Sequence, residues 1–125
     1  MIGEQLVYPT GAAGVTVTTD ADAWVLGGFT EIVPINTITK DFDIHFVNIE
    51  GISAAGTYEL LFYAAEVFLS CERFTVVGTP ANRIYIPRNI ITPLTVANSQ
   101  IQAKVMSDNA ASEDTCTLSV AYHVY

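Results

Sequence analysis

Positive charge is scarce in this chain. Its 125 residues include five basic ones (Lys40, Arg73, Arg83, Arg88 and Lys104), no two adjacent, against 13 Asp and Glu, and the net charge is −8. A phosphate backbone is held by clustered cations. This distribution therefore argues against direct nucleic-acid binding and disfavours an anionic membrane surface. Charge of either sign is low, at 14% of residues, where about 25% is usual. A small domain has a large surface to cover, so few charges imply that part of that surface faces a partner. An acidic chain can still dock on a basic protein surface.

Cysteine is nearly absent. Cys71 and Cys116 are too few for a disulfide framework. Both are expected as buried thiols packed as small hydrophobes; a mutual disulfide stays open, because sequence gives no distance between them. The start, MIGEQLVYPT, lacks the cationic and apolar segments of a signal peptide. The longest apolar region, LLFYAAEVFLSC, is interrupted by Glu66 and is too short to span a bilayer. The expectation is a soluble protein made in a cytosol, with no nucleic-acid or membrane partner.

What is present is β-structure. Val, Ile and Thr together number 39, an enrichment that favours strands. The last ten residues, CTLSVAYHVY, alternate: Cys116, Leu118, Val120, Tyr122 and Val124 share one face, and Thr117, Ser119, Ala121, His123 and Tyr125 the other. That period marks a half-buried strand. Residues 15–19 and 99–107 alternate likewise. In residues 41–50 Phe42, Ile44 and Phe46 fall together, opposite Asp43, His45 and Val47. Residues 35–39 are also β-prone, and Pro87 demotes the segment around it to an edge or irregular strand.

The segments YELLFYAA and EVFLSCERFTVV carry apolar residues on both faces, the mark of a strand covered on both sides. A helix over residues 59–70 is the competing reading, since Glu, Leu and Ala are good helix formers. Turn signals recur about every ten residues, which predicts an all-β sandwich of about eight strands, preferably a jelly roll. The predicted organisation is a loose N-terminal arm at 1–14 and one domain at 15–125.

No catalytic constellation stands out. Asp41, Asp43 and His45 project from one strand face about 7 Å apart, whereas a metal needs ligand atoms about 2 Å from it. Short Asp side chains do not converge easily over that gap, so the trio reads as a solvated outer face, and neither metal nor cofactor is expected. His45 and His123 are the only histidines and so the only candidates of their type for a general base. No serine sits in a nucleophile-elbow setting. GAAG at 11–14 lacks the Lys-Ser/Thr of a phosphate loop. Glu59, Glu66 and Glu72 read as isolated solvated glutamates rather than the paired carboxylates of sugar hydrolysis. The chain is therefore not expected to be an enzyme. The residues best suited to contacts with other subunits are Trp24, Tyr63, Arg73, Arg88, His123 and Tyr125, Trp being enriched at interface hot spots.

The stretch RIYIPRNIITPLTVANSQIQAKVMSDNAASEDTCTLSVAYHVY, with GTYELLFYAAEV upstream, resembles the end of small structural proteins of tailed bacteriophages, over roughly residues 51–125. In those proteins a segment like SQIQAKV, a polar loop and a strand ending Tyr-His-x-Tyr close a jelly-roll-like domain. The resemblance implies a capsid cement (decoration) protein. Such a protein sits on the outer capsid surface of the virion as a homo-oligomer, commonly a trimer, with the major capsid protein as its partner. The alternative reading is a receptor- or carbohydrate-binding sandwich of a phage fibre or spike, using Trp24 and tyrosines as stacking surfaces.

Overall fold

The computed structural model describes residues 5–11, 13–78 and 86–125. Residues 1–4 of the expected arm, residues 79–83 of the expected turn at 78–83, and with them Arg83, lie outside these. The described residues form nine strands: β1 (Gln5–Tyr8), β2 (Val15–Thr18), β3 (Thr30–Val33), β4 (Phe42–Ile52), β5 (Gly56–Ala64), β6 (Val67–Val76), β7 (Ile86–Asn89), β8 (Ile101–Ser107) and β9 (Thr115–Val124).

One sheet runs β1-β9-β4-β7 with β2 also on β9; the other runs β3-β8-β5-β6. Every pairing is antiparallel. The last strand is inserted between the first and fourth, and the eighth between the third and fifth. This interleaving of two sheets is the jelly-roll order. β1 pairs with residues 120–123 and β2 with residues 115–118 of the same strand. They are thus one edge position interrupted by a loop, and nine strands fill eight positions. Gln5–Tyr8, inside the segment expected as an arm, is paired into the sheet.

The core lies between the inner faces of the two sheets. Phe42, Ile44, Val47 and Ile49 from β4 and Leu118 and Val120 from β9 meet Tyr58, Leu60 and Phe62 from β5 and Ile101, Ala103 and Val105 from β8. Tyr58 stacks on Phe74 (centroids 5.4 Å apart) and donates its hydroxyl to the Ala54 carbonyl at 2.6 Å, so its polar end is satisfied although the ring is fully buried. Cys116 is in this core, and burial pushes its thiol up to about 12. Cys71 is exposed and both cysteines are free. The expectation of two buried thiols fails for Cys71: Phe74 and Val76 occupy the core side of β6, and period-two alternation leaves residue 71 on the other side.

Residues 59–70 are a hairpin, not a helix. Ala64 pairs with Val67 across a two-residue turn, and both Ala65 and Glu66 have positive φ, as a type I′ turn requires. Neither residue favours that conformation. The Gln100 carbonyl takes the Ala65 N–H at 3.1 Å, and the buried Gln102 side chain takes the Glu66 N–H at 2.8 Å, which holds the turn in place. Residues 35–39, expected as a strand, instead form a turn around Asn36 (φ 65), with the Thr37 N–H donating to the Pro34 carbonyl.

β4 departs from simple alternation at His45. Ile44 pairs with Tyr122 and Phe46 with Ala121, leaving His45 as an extra residue opposite no partner. A bulge of one residue shifts the register of everything after it. The inward series therefore runs Phe42, Ile44, Val47, Ile49, and Phe46 leaves the core face that strict alternation assigned to it. The bulge is braced from behind. The Ile90 N–H donates to the His45 carbonyl at 3.1 Å, the Thr92 N–H to the Ile44 carbonyl at 3.0 Å, and the Ile44 N–H to the Thr92 hydroxyl at 2.8 Å.

Leu118 is fully buried at the centre of this packing. Leu118→Ala is expected to lower the unfolding free energy by about 2–5 kcal/mol, read from urea denaturation, while Cys71→Ala on the exposed face changes it by less than about 0.5 kcal/mol. Equal effects of the two substitutions would contradict this division into core and surface.

Candidate functional site

The outer face of the β9–β4 sheet carries a compact polar cluster. Asp43 of β4 stands directly opposite His123 of β9. The bulge brings His45 in beside them, and the imidazoles of His45 and His123 meet edge to face with centroids 3.6 Å apart. One ligand-type atom from each of Asp43, His45 and His123 lies within 4.8 Å of the other two. His45 Nε2 is 3.4 Å from Asp43 Oδ1. Tyr125, one residue past the end of β9, donates its hydroxyl to Asp43 Oδ2 at 2.8 Å, which raises the tyrosine's pKa.

The electrostatics of the cluster follow from crowding. The His45 side chain is 31% exposed, but its Nε2 atom is shielded from solvent and has no hydrogen-bond partner among the described residues; Asp43 Oδ1 is in the same condition. The His45 pKa is lowered from the ordinary 6.5, by desolvation first and by His123 second, with Asp43 opposing both.

Sequence reasoning placed Asp43 and His45 on one outer face but took Asp41 as their third member. Asp41 instead accepts the Ala97 N–H at 2.9 Å. The residue that completes the group, His123, comes from a strand 78 positions later in the chain, through the cross-strand register. Of the remaining candidates, Trp24, Arg73 and Arg88 are brought together, the Arg88 guanidinium donating to the Arg73 carbonyl at 3.1 Å, while Tyr63 belongs to an aromatic group with Phe29 and Phe68. Trp24 lies under the Arg73 guanidinium, 4.9 Å from the ring centroid. Tyr63 is packed edge to face between Phe29 and Phe68. Arg73 is paired with Glu59 at 2.9 Å, and Arg88 with Glu72 at 2.7 Å, which ties the edge strands β6 and β7 of the two sheets together. Glu66 occupies the β5–β6 turn. Glu59 and Glu72 are thus engaged by different arginines, and Glu66 lies at the far end of the β5–β6 hairpin. A cleft of about 190 Å³ lined by Leu6, Ile38, Lys40, Tyr122 and Val124 lies elsewhere, below the usual volume of small-molecule sites, about 300–1,000 Å³.

No protein-family model matches the chain, and no curated protein matches it. Solved structures do. A structure of infectious bursal disease virus, Gx strain, aligns with a TM-score of 0.50 at 13% identity, over 98% of this chain and 33% of that one. The infectious bursal disease virus VP2 subviral particle aligns with a TM-score of 0.47 at 13% identity, with the same two coverages of 98% and 33%. A carbohydrate-binding module, CBM36, in complex with calcium and xylotriose aligns with a TM-score of 0.40 at 12% identity, over 95% of this chain and 97% of that one. The chain spans about a third of the length of the virus chains it is similar to. At 13% identity the likeness to the first of these concerns the fold alone.

The depressed His45 pKa fixes a sign for pH dependence. Protons bind the unfolded chain more readily than the folded one, so the contribution of His45 is present above pH 6.5 and is lost as pH falls below it. With a chelator present, unfolding free energy measured by urea denaturation is expected to fall more steeply below pH 6.5 in the unmodified protein than in His45→Gln. Parallel pH profiles would contradict the crowding described here.

Proposed function

We propose that the chain is a virion structural protein of the cement type, which binds the outer surface of a bacteriophage capsid as a homotrimer and reinforces the shell. The observation that carries this reading is a braced apolar ridge after β7. Ile91, Leu94 and Val96 are exposed by 62–80%, while the residues between them anchor the backbone to β4. The Thr92 N–H bonds the Ile44 carbonyl, Thr95 exchanges both of its backbone bonds with Phe42, and the Ala97 N–H is held by Asp41. Exposed apolar side chains on an ordered backbone bind without a further cost of ordering the backbone, and a chain with three of them in six residues is suited to a protein partner.

The mechanism is mechanical. Each subunit of a symmetric oligomer offers the same ridge, and once one is seated the others bind at high effective concentration. Contacts that bridge neighbouring capsomers then add to the work of separating them. The virus structure that aligns with a TM-score of 0.50 is in keeping with this reading. The carbohydrate-binding alternative has less support, because the aromatic side chains it needs are already engaged. Arg73 covers one side of Trp24, Lys104 lies 4.0 Å from the Phe29 centroid, and Tyr63 packs on both Phe29 and Phe68.

The test is co-sedimentation with capsid shells stripped of their outer proteins, alongside light scattering of the free chain. A trimer that saturates the shells is expected, and Leu94→Asp is expected to weaken binding at least about tenfold with an unchanged circular dichroism spectrum. A monomer that leaves the shells bare, or Leu94→Asp binding as well as the unmodified protein, would overturn the proposal.

A further inference from the structure

We propose that Asp43, His45 and His123 form a binding site for a divalent transition-metal ion, zinc being the favoured occupant, on the outer face of the β9–β4 sheet. Such a site does not depend on the capsid reading. Tetrahedral zinc with ligand bonds of about 2.0–2.2 Å places its ligand atoms about 3.4 Å from one another. His45 Nε2 and Asp43 Oδ1 already stand 3.4 Å apart, and an atom of His123 completes the group within 4.8 Å. Side-chain rotation alone can close that last gap.

A second observation points the same way. Asp43 Oδ1 and His45 Nε2 are shielded polar atoms without a hydrogen-bond partner among the described residues. Polar atoms left so in a folded protein call for an explanation, and an ion between them is one. The other carboxylate oxygen, Oδ2, is held by the Tyr125 hydroxyl at 2.8 Å. That is the outer-shell support that orients a metal-binding carboxylate. The bulge at His45 is the structural device, since an extra residue in one strand re-aims a side chain at a site.

The donor set selects the ion. Two imidazoles and one carboxylate suit zinc, cobalt, nickel and copper, whereas calcium takes six to eight oxygen ligands. Three protein ligands would leave the fourth position of a tetrahedral ion to a ligand from outside the chain. A bound ion would join the C-terminal end of β9 to β4 and stabilise the folded state by mass action.

Chelator-stripped protein titrated with zinc against a competing indicator dye is expected to bind one ion per chain and to show a zinc-dependent rise in thermal midpoint. Cobalt should give the visible absorption of a tetrahedral site. Tyr125→Phe, which keeps the three ligands, is expected to weaken zinc binding roughly 10–100-fold. His45→Gln and His123→Gln should each weaken it more, and calcium should neither compete nor raise the midpoint. Circular dichroism and the zinc-free midpoint establish that each variant folds. Absence of saturable zinc binding, zinc affinity unchanged in a folded His45→Gln/His123→Gln double variant, or displacement of zinc by equimolar calcium would each overturn the proposal.

Discussion

The pairing of β4 with β9, with an extra residue on β4 at His45 and a second at Glu50, is the constraint on which the rest of this structure depends. β4 and β9 are the two inner strands of their sheet, and between them they supply Phe42, Ile44, Val47, Ile49, Leu118, Val120 and Tyr122 to the core. Without the extra residue at His45, strict alternation would turn Val47 and Ile49 outward and Asn48 and Glu50 into the sandwich. Burying two such polar side chains without partners costs several kcal/mol, a large part of the stability of a domain this size. The bulge avoids that cost, and its carbonyls are satisfied by the Thr92 and Ile90 amides.

The bulge at His45 shapes both proposed surfaces. Toward β9 it brings His45 against His123 and Asp43. Toward β7 its backbone bonds fix the start of the segment bearing Ile91, Leu94 and Val96. A polar cluster and an apolar ridge thus share one backbone feature on one sheet. The opposite sheet presents a different surface, in which Arg73 over Trp24 and Lys104 over Phe29 turn exposed aromatic rings into cation–π pairs within the chain.

Much of the fold was legible because core strands write their period into the sequence. The C-terminal strand put Cys116, Leu118, Val120 and Tyr122 inward, as the structure has them, and the spacing of turn signals led to a jelly-roll-like sandwich. What escaped was whatever depends on pairing between distant segments. A bulge leaves no mark on one strand alone, so Phe46 was given a core place that Val47 takes. Cys71 was assigned to the interior on residue type, although its parity with Phe74 and Val76 argues the reverse. Residues 35–39 have strand-forming composition, but Asn36 adopts positive φ and turns the chain. At the polar cluster, Asp43 and His45 were legible as a pair on one face. Their partner was not, because only the antiparallel register sets His123 opposite Asp43. The histidines near the ends of two alternating strands were the available signal.

The bulged register can be measured directly by two-dimensional nuclear Overhauser spectroscopy on the metal-free protein with its two histidine rings assigned. The account predicts strong cross-peaks between the ring protons of His45 and His123, together with contacts from the Tyr125 ring to the Asp43 methylene. Rings that show no mutual cross-peak, alongside backbone contacts placing Ala121 opposite His45 rather than Phe46, would mean an unbroken ladder and would contradict it.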